Sequence, residues 1–108
     1  MVLGCFISPF RAEREMIRKL LAPGEFVEVF IDVPFAECVR RDPKGLYAQA
    51  LAGNIKNFTG IDSPYEPPEA PDIRVDGTQE TPEAAATPIV DWILAKSSAT
   101  TQKEFAIE

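Results

Sequence analysis

The sequence predicts an α/β fold in which helices cover a parallel sheet. Residues 2–7 form a continuous apolar run and residues 26–33 a second, mainly apolar one, each short enough for a buried strand. A helical segment follows each run, and this strand–helix order is typical of parallel sheets joined by crossover helices. The 108 residues are sufficient for one small domain.

The first helix is predicted from its start, its period and its end. Ser8 and Pro9 are residue types favoured at the N-cap and at the first helical position, and the Pro23-Gly24 pair would end the helix. The apolar residues that recur on one face of this segment are Ala12, Met16, Ile17, Leu20 and Leu21. This spacing predicts an amphipathic helix whose apolar face is buried.

The remaining elements continue the strand–helix order. A short helix is predicted after Pro34, a third strand within residues 72–77, and a final helix over residues 81–96. Pro88 either kinks that last helix or marks a second start with Thr87 as its cap. Residues 97–108 are largely polar and lack a capping signal, so we expect a flexible tail there. The predicted domain therefore covers residues 1–96.

Composition argues against several classes of function. The formal net charge is −6, which gives no overall basic surface for nucleic acid. No apolar run approaches the roughly 20 residues of a membrane span, and the apolar start lacks the basic residues of a signal peptide. The chain has no histidine and two widely spaced cysteines, Cys5 and Cys38, which argues against a metal site. We therefore expect a cytoplasmic protein without nucleic-acid or membrane partners.

The segment 40–71 interrupts the regular pattern. It mixes cations, glycines, single aromatics and prolines without a sustained helical or strand period. Such a segment is either a disordered connection or an ordered lid that closes over a ligand. Parallel α/β sheets bind ligands at the carboxyl ends of their strands, and Ser8 follows the first strand at such an end. A lid over a nucleotide-like anion is a coherent interpretation of this arrangement.

Several side chains near this segment have both a structural and a binding interpretation. Ser8 either caps the helix or meets an anion together with the first helical N–H groups. Lys44, Arg40 and Arg41 are either solvated surface cations or ligands of phosphate or sulfate. Phe58 either pins the loop or stacks on a purine base. The residues alone leave these alternatives open.

Four strings in the chain carry a resemblance to a known family. They are FISPFRAERE, GEFVEVFIDVP, RRDPKGLYAQA and IKNFTGIDSPYEPPEAP. Together they resemble the C-terminal half of adenylyl-sulfate (APS) kinase, a domain found alone or fused in bacterial sulfate adenylyltransferase. The resemblance implies a partial P-loop kinase fold, a three-layer sandwich around a parallel sheet. It also implies transfer of the ATP γ-phosphate to the 3′-hydroxyl of APS, which gives PAPS for sulfate assimilation.

The resemblance also implies roles for individual residues in APS binding. Ile7 and Ser8 would lie against bound APS, and Ser8 corresponds to a position often regarded as a phosphoserine in the family. Lys44 would contact APS from the lid. Asn57 and Phe58 would hold the adenine of APS.

A second set of residues would serve ATP. Arg40 or Arg41 would approach the ATP phosphates, and Thr78, in the loop after the third strand, would border the ATP adenine. Mg²⁺ would accompany ATP, with its ligands outside this chain. A homodimer, or fusion to or association with sulfate adenylyltransferase, is the expected assembly.

One departure from the family pattern is an absence. The 108 residues contain no GxxxxGK followed by Ser or Thr, the loop that cradles ATP phosphates in P-loop enzymes. The first two strands and the acidic base candidate of the family are missing as well. We therefore expect a fragment that is inactive alone. The alternative is a non-catalytic remnant that binds APS or PAPS, or a module that docks on a partner.

Overall fold

Residues 1–79, 81–97 and 104–107 are described by the computed structural model, and they form the predicted α/β fold. In chain order the elements are β1 (Val2–Cys5), α1 (Arg11–Lys19), β2 (Phe26–Asp32), α2 (Phe35–Arg41), α3 (Leu46–Leu51), β3 (Ile73–Asp76), α4 (Pro82–Ser97) and β4 (Glu104–Ile107). No helix in these ranges is long and apolar enough to span a bilayer.

The described strands form one parallel sheet in the order β1-β4-β2-β3. In the β2–β3 pair, Val29 lies opposite Ile73 and Ile31 opposite Val75. Parallel neighbours need a crossover connection, and the segment containing α2 and α3 supplies it between β2 and β3. The strands point the same way, so the segments that follow β1, β2 and β3 all leave the sheet at its carboxyl edge.

Strand β4 contradicts part of the predicted tail. Residues Glu104–Ile107 pair with β1 on one side and with β2 on the other, with Phe105 opposite both Leu3 and Val27. The expectation of a flexible tail is therefore wrong for these four residues, and Ser97 belongs to α4. Backbone pairing on both sides orders this short segment as a strand. In the sequence, the polar residues around it did not indicate a strand. The rest of the predicted tail, residues 98–103 and 108, lies outside the described residues.

The apolar core lies between the β2–β3 pair and α4. Val27, Val29, Ile73 and Val75 form its buried centre, and Val29 is 0% exposed. Burying a valine side chain stabilises a fold by about 1.5–3 kcal/mol relative to leaving it in water. The partly buried residues packed against this centre are Ile31, Ala85, Ile89, Trp92 and Ile93. The final helix thus buries the residues predicted for it, and it includes Pro88 within a single helix.

The first strand and the first helix differ from the prediction. Val2 and Leu3 are 59% and 57% exposed, although the apolar run predicted a strand buried on both faces. Met16 on α1 and Leu20 directly after it are exposed too, while Arg14 is the buried residue of the helix. Strand β1 lies at one end of the strand order with β4 as its paired neighbour. An apolar pattern indicates that burial of one face of an element is favourable, but it does not specify which other element covers that face.

The start of α1 also differs from the prediction. The helix begins at Arg11 after Phe10, which makes no side-chain capping bond. Ser8 has a positive φ of 43°, outside the region of an N-cap residue. The backbone N–H of Arg11 instead donates to the Glu66 carboxylate at 2.9 Å. The prediction that Ser8 caps this helix is wrong, because a glutamate 55 residues further along the chain satisfies the first helical N–H.

Candidate functional site

A cleft of about 1070 Å³ lies at the carboxyl ends of β1 and β2. Its lining includes the segment Cys5–Ile7, here called the β1 wall, residues 30–33, and residues of the segment predicted as a lid, here called the lid wall. Its volume is slightly above the range of about 300–1,000 Å³ that is usual for small-molecule and cofactor sites. Three residues proposed for APS, Ile7, Asn57 and Phe58, line this one cleft.

Aromatic side chains organise the lid wall of the cleft. Tyr47 of α3 contacts Phe58 edge to face, with ring centres 4.9 Å apart and planes at 69°. Tyr47 also contacts Phe35 at 6.1 Å in a similar geometry. Such pairs contribute roughly 0.5–1.5 kcal/mol beyond their buried area. Phe58 therefore pins the loop to α3 and lines the cleft at the same time, so its two interpretations do not exclude each other.

The loop that carries Asn57 and Phe58 is held by Asp62. The Asp62 carboxylate accepts the backbone N–H groups of both residues, from Asn57 at 2.7 Å. Asn57 has a φ of 57°, a left-handed conformation that asparagine adopts more readily than most residues. The Phe58 carbonyl accepts the N–H of Ser63 at 3.1 Å and closes the turn. Asp62 was not predicted from the sequence, although an aspartate after a Thr-Gly turn is a recognisable loop acceptor.

Two residues proposed for APS lie apart from the cleft lining. Ser8 is half-buried next to the lining residue Ile7, and its carbonyl accepts a hydrogen bond from Arg14 at 2.6 Å. Lys44 is exposed in the turn between α2 and α3, where Gly45 N–H donates to the Asp42 carbonyl at 3.0 Å. Both residues are close in sequence to residues that line the cleft, Ser8 to Ile7 and Lys44 to Tyr47, but they do not line it themselves.

A second cavity, of about 570 Å³, brings together the three residues proposed for ATP. Arg40, Arg41 and Thr78 line it, together with Glu37 and Gly77. It lies between α2 and the loop after β3, on the other side of Ile31 and Val33, which line both cavities. The grouping of these three residues was implied by the family resemblance and not by their spacing in the sequence.

Glu37 is the counter-charge of the two arginines that line the second cavity. Its carboxylate pairs with Arg40 and with Arg41, the latter at 2.9 Å. The hydrogen bond from Arg40, reinforced by Arg41, lowers the pKa of Glu37 to about 2, and the pKa of Arg40 is raised by the same contact. Both guanidinium groups thus share one carboxylate within a single helix. Glu37 was not predicted from the sequence, yet an acidic residue three and four positions before two arginines is the signal for such pairs.

The loop after β3 is tightly built. Asp76 accepts the N–H of Thr78 at 2.9 Å and also its hydroxyl proton, and these bonds lower the pKa of Asp76. Gly77 donates its N–H to the Asp32 carbonyl at 3.0 Å. A Cβ at position 77 would lie 2.1 Å from the side chain of Val33, so this close approach to β2 requires glycine.

Metal binding has no support among the described residues. Within residues 1–79, 81–97 and 104–107, no group of three or more His, Cys, Asp or Glu side chains is arranged to hold an ion. These described residues therefore offer no fitted site for the Mg²⁺ that the resemblance implies.

The parallel sheet with two cavities at its carboxyl edge is the architecture of nucleotide-binding α/β proteins. A family model for adenylylsulphate kinase matches residues 1–76. The chain belongs to the adenylyl-sulfate kinase family.

Individual relatives agree with this assignment. The chain is 57% identical over 98 residues to the bifunctional enzyme NodQ of Azospirillum brasilense, covering 91% of this chain and 16% of NodQ. It is 52% identical over 92 residues to the adenylyl-sulfate kinase of Marinobacter nauticus, covering 85% of this chain and 46% of that protein. The chain thus spans less than half of the length of either relative.

A solved structure agrees with the predicted fold. The Mycobacterium tuberculosis APS kinase CysC, in complex with AMPPNP and APS, superimposes with a TM-score of 0.72 at 46% identity. The match covers 82% of this chain and 52% of CysC. The predicted partial P-loop kinase fold is confirmed.

Proposed function

We propose that this chain supplies the APS-binding side of an adenylyl-sulfate kinase, which transfers the γ-phosphate of ATP to the 3′-hydroxyl of APS and forms PAPS. The observation that carries the proposal is the grouping of Ile7, Asn57 and Phe58 on one cleft in a member of this family. The ligands of the M. tuberculosis neighbour, AMPPNP and APS, support the same pair of substrates for the intact enzyme.

In this proposal the adenine of APS stacks against Phe58, beside the amide of Asn57. Stacking of a base on an aromatic side chain contributes roughly 1–3 kcal/mol. Lys44 moves toward the anionic part of APS from its exposed turn, and Ser8 meets the same ligand from the end of β1, where it is also the proposed phosphoserine position. Ile7, which is 63% exposed, offers an apolar contact that bound APS would cover.

ATP is assigned to the second cavity. Arg40 and Arg41 would meet its phosphates, and Thr78 would border its adenine, with Mg²⁺ arriving together with the nucleotide. Phosphoryl transfer depends mainly on positioned charge around the phosphates. Each such group typically contributes about 10²–10³-fold to the rate. Because the 108 residues contain no P-loop motif, we propose that this chain alone binds APS but does not turn it over.

Calorimetric titration of APS into the purified chain, with and without Mg·ADP, tests the proposal. We expect saturable binding that is weakened about tenfold or more by Phe58→Ala, the loss of one stacking contact. Phe58→Leu separates the two roles of this residue, because leucine keeps apolar packing against Tyr47 but cannot stack on a base. Lys44→Ala is compared with Lys96→Ala, which removes a lysine on α4, away from both cavities.

Absence of heat from a chain that is folded by circular dichroism would refute APS binding by this chain. Mixing the chain with the P-loop half of a related kinase then separates the remaining alternatives. Formation of PAPS in the mixture supports the kinase, whereas saturable APS binding without PAPS in any mixture supports a non-catalytic remnant that binds APS or PAPS. Binding of a sulfate adenylyltransferase without APS binding supports the docking module.

The assembly is proposed to be a homodimer or a fusion or complex with sulfate adenylyltransferase. The bifunctional NodQ relatives support a fused arrangement. The two cysteines, Cys5 and Cys38, are both free thiols, which fits the reducing cytoplasm proposed as the location of the protein.

A further inference from the structure

Arg14 is a buried charged residue outside both cavities, and it contacts three separate parts of the chain. Its side chain is 4% exposed, and its Nε lies 3.3 Å from a carboxylate oxygen of Glu28 on β2. Its two terminal nitrogens donate to the carbonyls of Ser8 and Glu66. An arginine presents its donors in a rigid planar fork, so one side chain can hold carbonyls from two segments in a fixed relation.

The two carbonyls belong to residues that directly adjoin the β1 wall and the lid wall of the large cleft. Ser8 directly follows Ile7 on the β1 wall, and Glu66 lies between Tyr65 and Pro67, which line the lid wall. The guanidinium carbon of Arg14 is also 5.8 Å from the centre of the Tyr65 ring. Arg14 itself does not line the cleft and therefore acts on a ligand only through these neighbours.

Further hydrogen bonds close the same junction. The N–H of Glu66 donates to the Pro9 carbonyl at 2.8 Å, and the Glu66 carboxylate accepts the Arg11 N–H. The Arg11 side chain donates to the Pro67 carbonyl at 2.8 Å. The return of the lid segment is therefore joined to the start of α1 by backbone and side-chain bonds, with the Arg14 guanidinium buried behind them.

Glu28 supplies the counter-charge that stabilises the buried Arg14 guanidinium. An arginine buried without a counter-charge would cost several kcal/mol, whereas the Glu28 carboxylate, itself 8% exposed, offsets its charge. Charge compensation between Arg14 and Glu28 does not by itself require any contact with Ser8 or Glu66. The two additional carbonyl contacts are what connect the pair to the cleft walls.

We propose that Arg14 is a positioning residue for the APS site, whose guanidinium fixes the Ser8 turn and the Glu66 segment so that the two cleft walls keep their spacing. This inference rests on the proposed function for its effect on APS, but the junction itself is a property of the ligand-free chain. Arg14→Lys tests it, because lysine retains the charge beside Glu28 and loses the planar fork. Arg18→Lys is the matched control, since Arg18 lies one turn further on α1 and bonds Asp72 instead.

The first readout is amide hydrogen exchange of the free chain. In Arg14→Lys the amides of Arg11 and Glu66 are expected to exchange about tenfold faster or more, as for the loss of one hydrogen bond to a charged group. The amide of Val29 in the core should keep its rate, and Arg18→Lys should leave Arg11 and Glu66 unchanged. Unchanged exchange at Glu66, or equal acceleration at Val29, would overturn the proposal, since the latter indicates only general destabilisation.

The second readout is APS affinity by calorimetry. Arg14→Lys should weaken APS binding about tenfold while Arg18→Lys does not, and equal affinity in both variants would overturn the positioning role. A double variant, Arg14→Met with Glu28→Leu, removes both charges together and keeps an apolar core. It should remain folded and still show fast exchange at Glu66. If the unsubstituted chain binds no APS, the proposed function fails, and the exchange comparison separately decides whether Arg14 joins the two walls.

Discussion

At the scale of single residues, two acidic side chains hold the residues that the sequence predicted for ligand binding. Neither acidic residue was itself predicted from the sequence. Asp62 fixes the backbone of Asn57 and Phe58, and Glu37 pairs with both arginines proposed for ATP. Cations and aromatics attract attention in a sequence because they recognise ligands directly. The carboxylates that position them are common surface residues, and their role becomes visible only when their acceptor geometry is known.

Substitution of Asp62 is expected to loosen the Asn57–Phe58 loop. Asp62→Ala leaves two backbone N–H groups without their acceptor, so their exchange should accelerate about tenfold, whereas Asp62→Asn keeps one acceptor oxygen and should fall between. The measurement is amide exchange by NMR, with Asp91→Ala on α4 as the control. Equal protection of Phe58 in all of these variants would show that the aromatic contact with Tyr47 alone holds the loop.

The Glu37 ion pairs predict a specific pH dependence. The pKa of Glu37 is lowered from its ordinary value of 4.5 to about 2, so its pairing stabilises the fold above pH 4.5 and is lost as the pH falls through about 2. Carboxyl-carbon NMR should report this midpoint directly. Arg40→Gln should return it further toward the ordinary value than Arg41→Gln, because the hydrogen bond from Arg40 is the larger cause. Equal midpoints in the two variants would contradict that ranking.

At the scale of elements, the burial of a strand or helix was predicted correctly where its apolar face packs against other described elements of this chain. The residues of α4 and of the β2–β3 pair were identified because their apolar pattern is satisfied within the described core. For α1 the helix itself was predicted, but the burial of its apolar face was not found, because its apolar residues are exposed and its buried residue is Arg14. Helix α3 was not predicted, because its six residues are too few for a periodic pattern.

Helix α3 depends on a cap that the sequence places before it. The Asp42 carboxylate accepts the N–H groups of Tyr47 and Ala48, both at 3.0 Å. Asp42→Ala should therefore destabilise α3 by about 1 kcal/mol, while Asp42→Asn should retain most of the cap. Because Tyr47 holds Phe58, the loss should also raise the exchange rate of the Phe58 amide. Thermal unfolding together with amide exchange checks both effects, and a stable α3 in Asp42→Ala would refute the cap.

At the scale of the whole molecule, the β1 wall of the cleft is attached less firmly than the rest. The core lies at β2, β3 and α4, whereas β1 and the apolar side chains around it are exposed. The exposed apolar side chains in the first twenty residues include Val2, Leu3, Phe6, Ile7, Met16 and Leu20. Exposed apolar surface of this kind favours association, so the purified chain should show a concentration-dependent mass in light scattering. The residues proposed for APS thus lie between a firm half of the sheet and a loosely attached one.

Strand β4 is the structural link between these two halves, because it pairs with β1 and with β2 at once. A chain that ends at Ser97 should therefore lose protection of the Val2–Cys5 amides and keep that of Val75, whose paired neighbour is β2, each lost backbone bond contributing about 1 kcal/mol. A chain that ends at Ile107 retains the strand and serves as the control. Hydrogen exchange of the three chains decides the point. If β1 stays protected without β4, the two halves of the sheet are held together by α1 and the Arg14 contacts instead, and the shorter chain should bind APS as the longer one does.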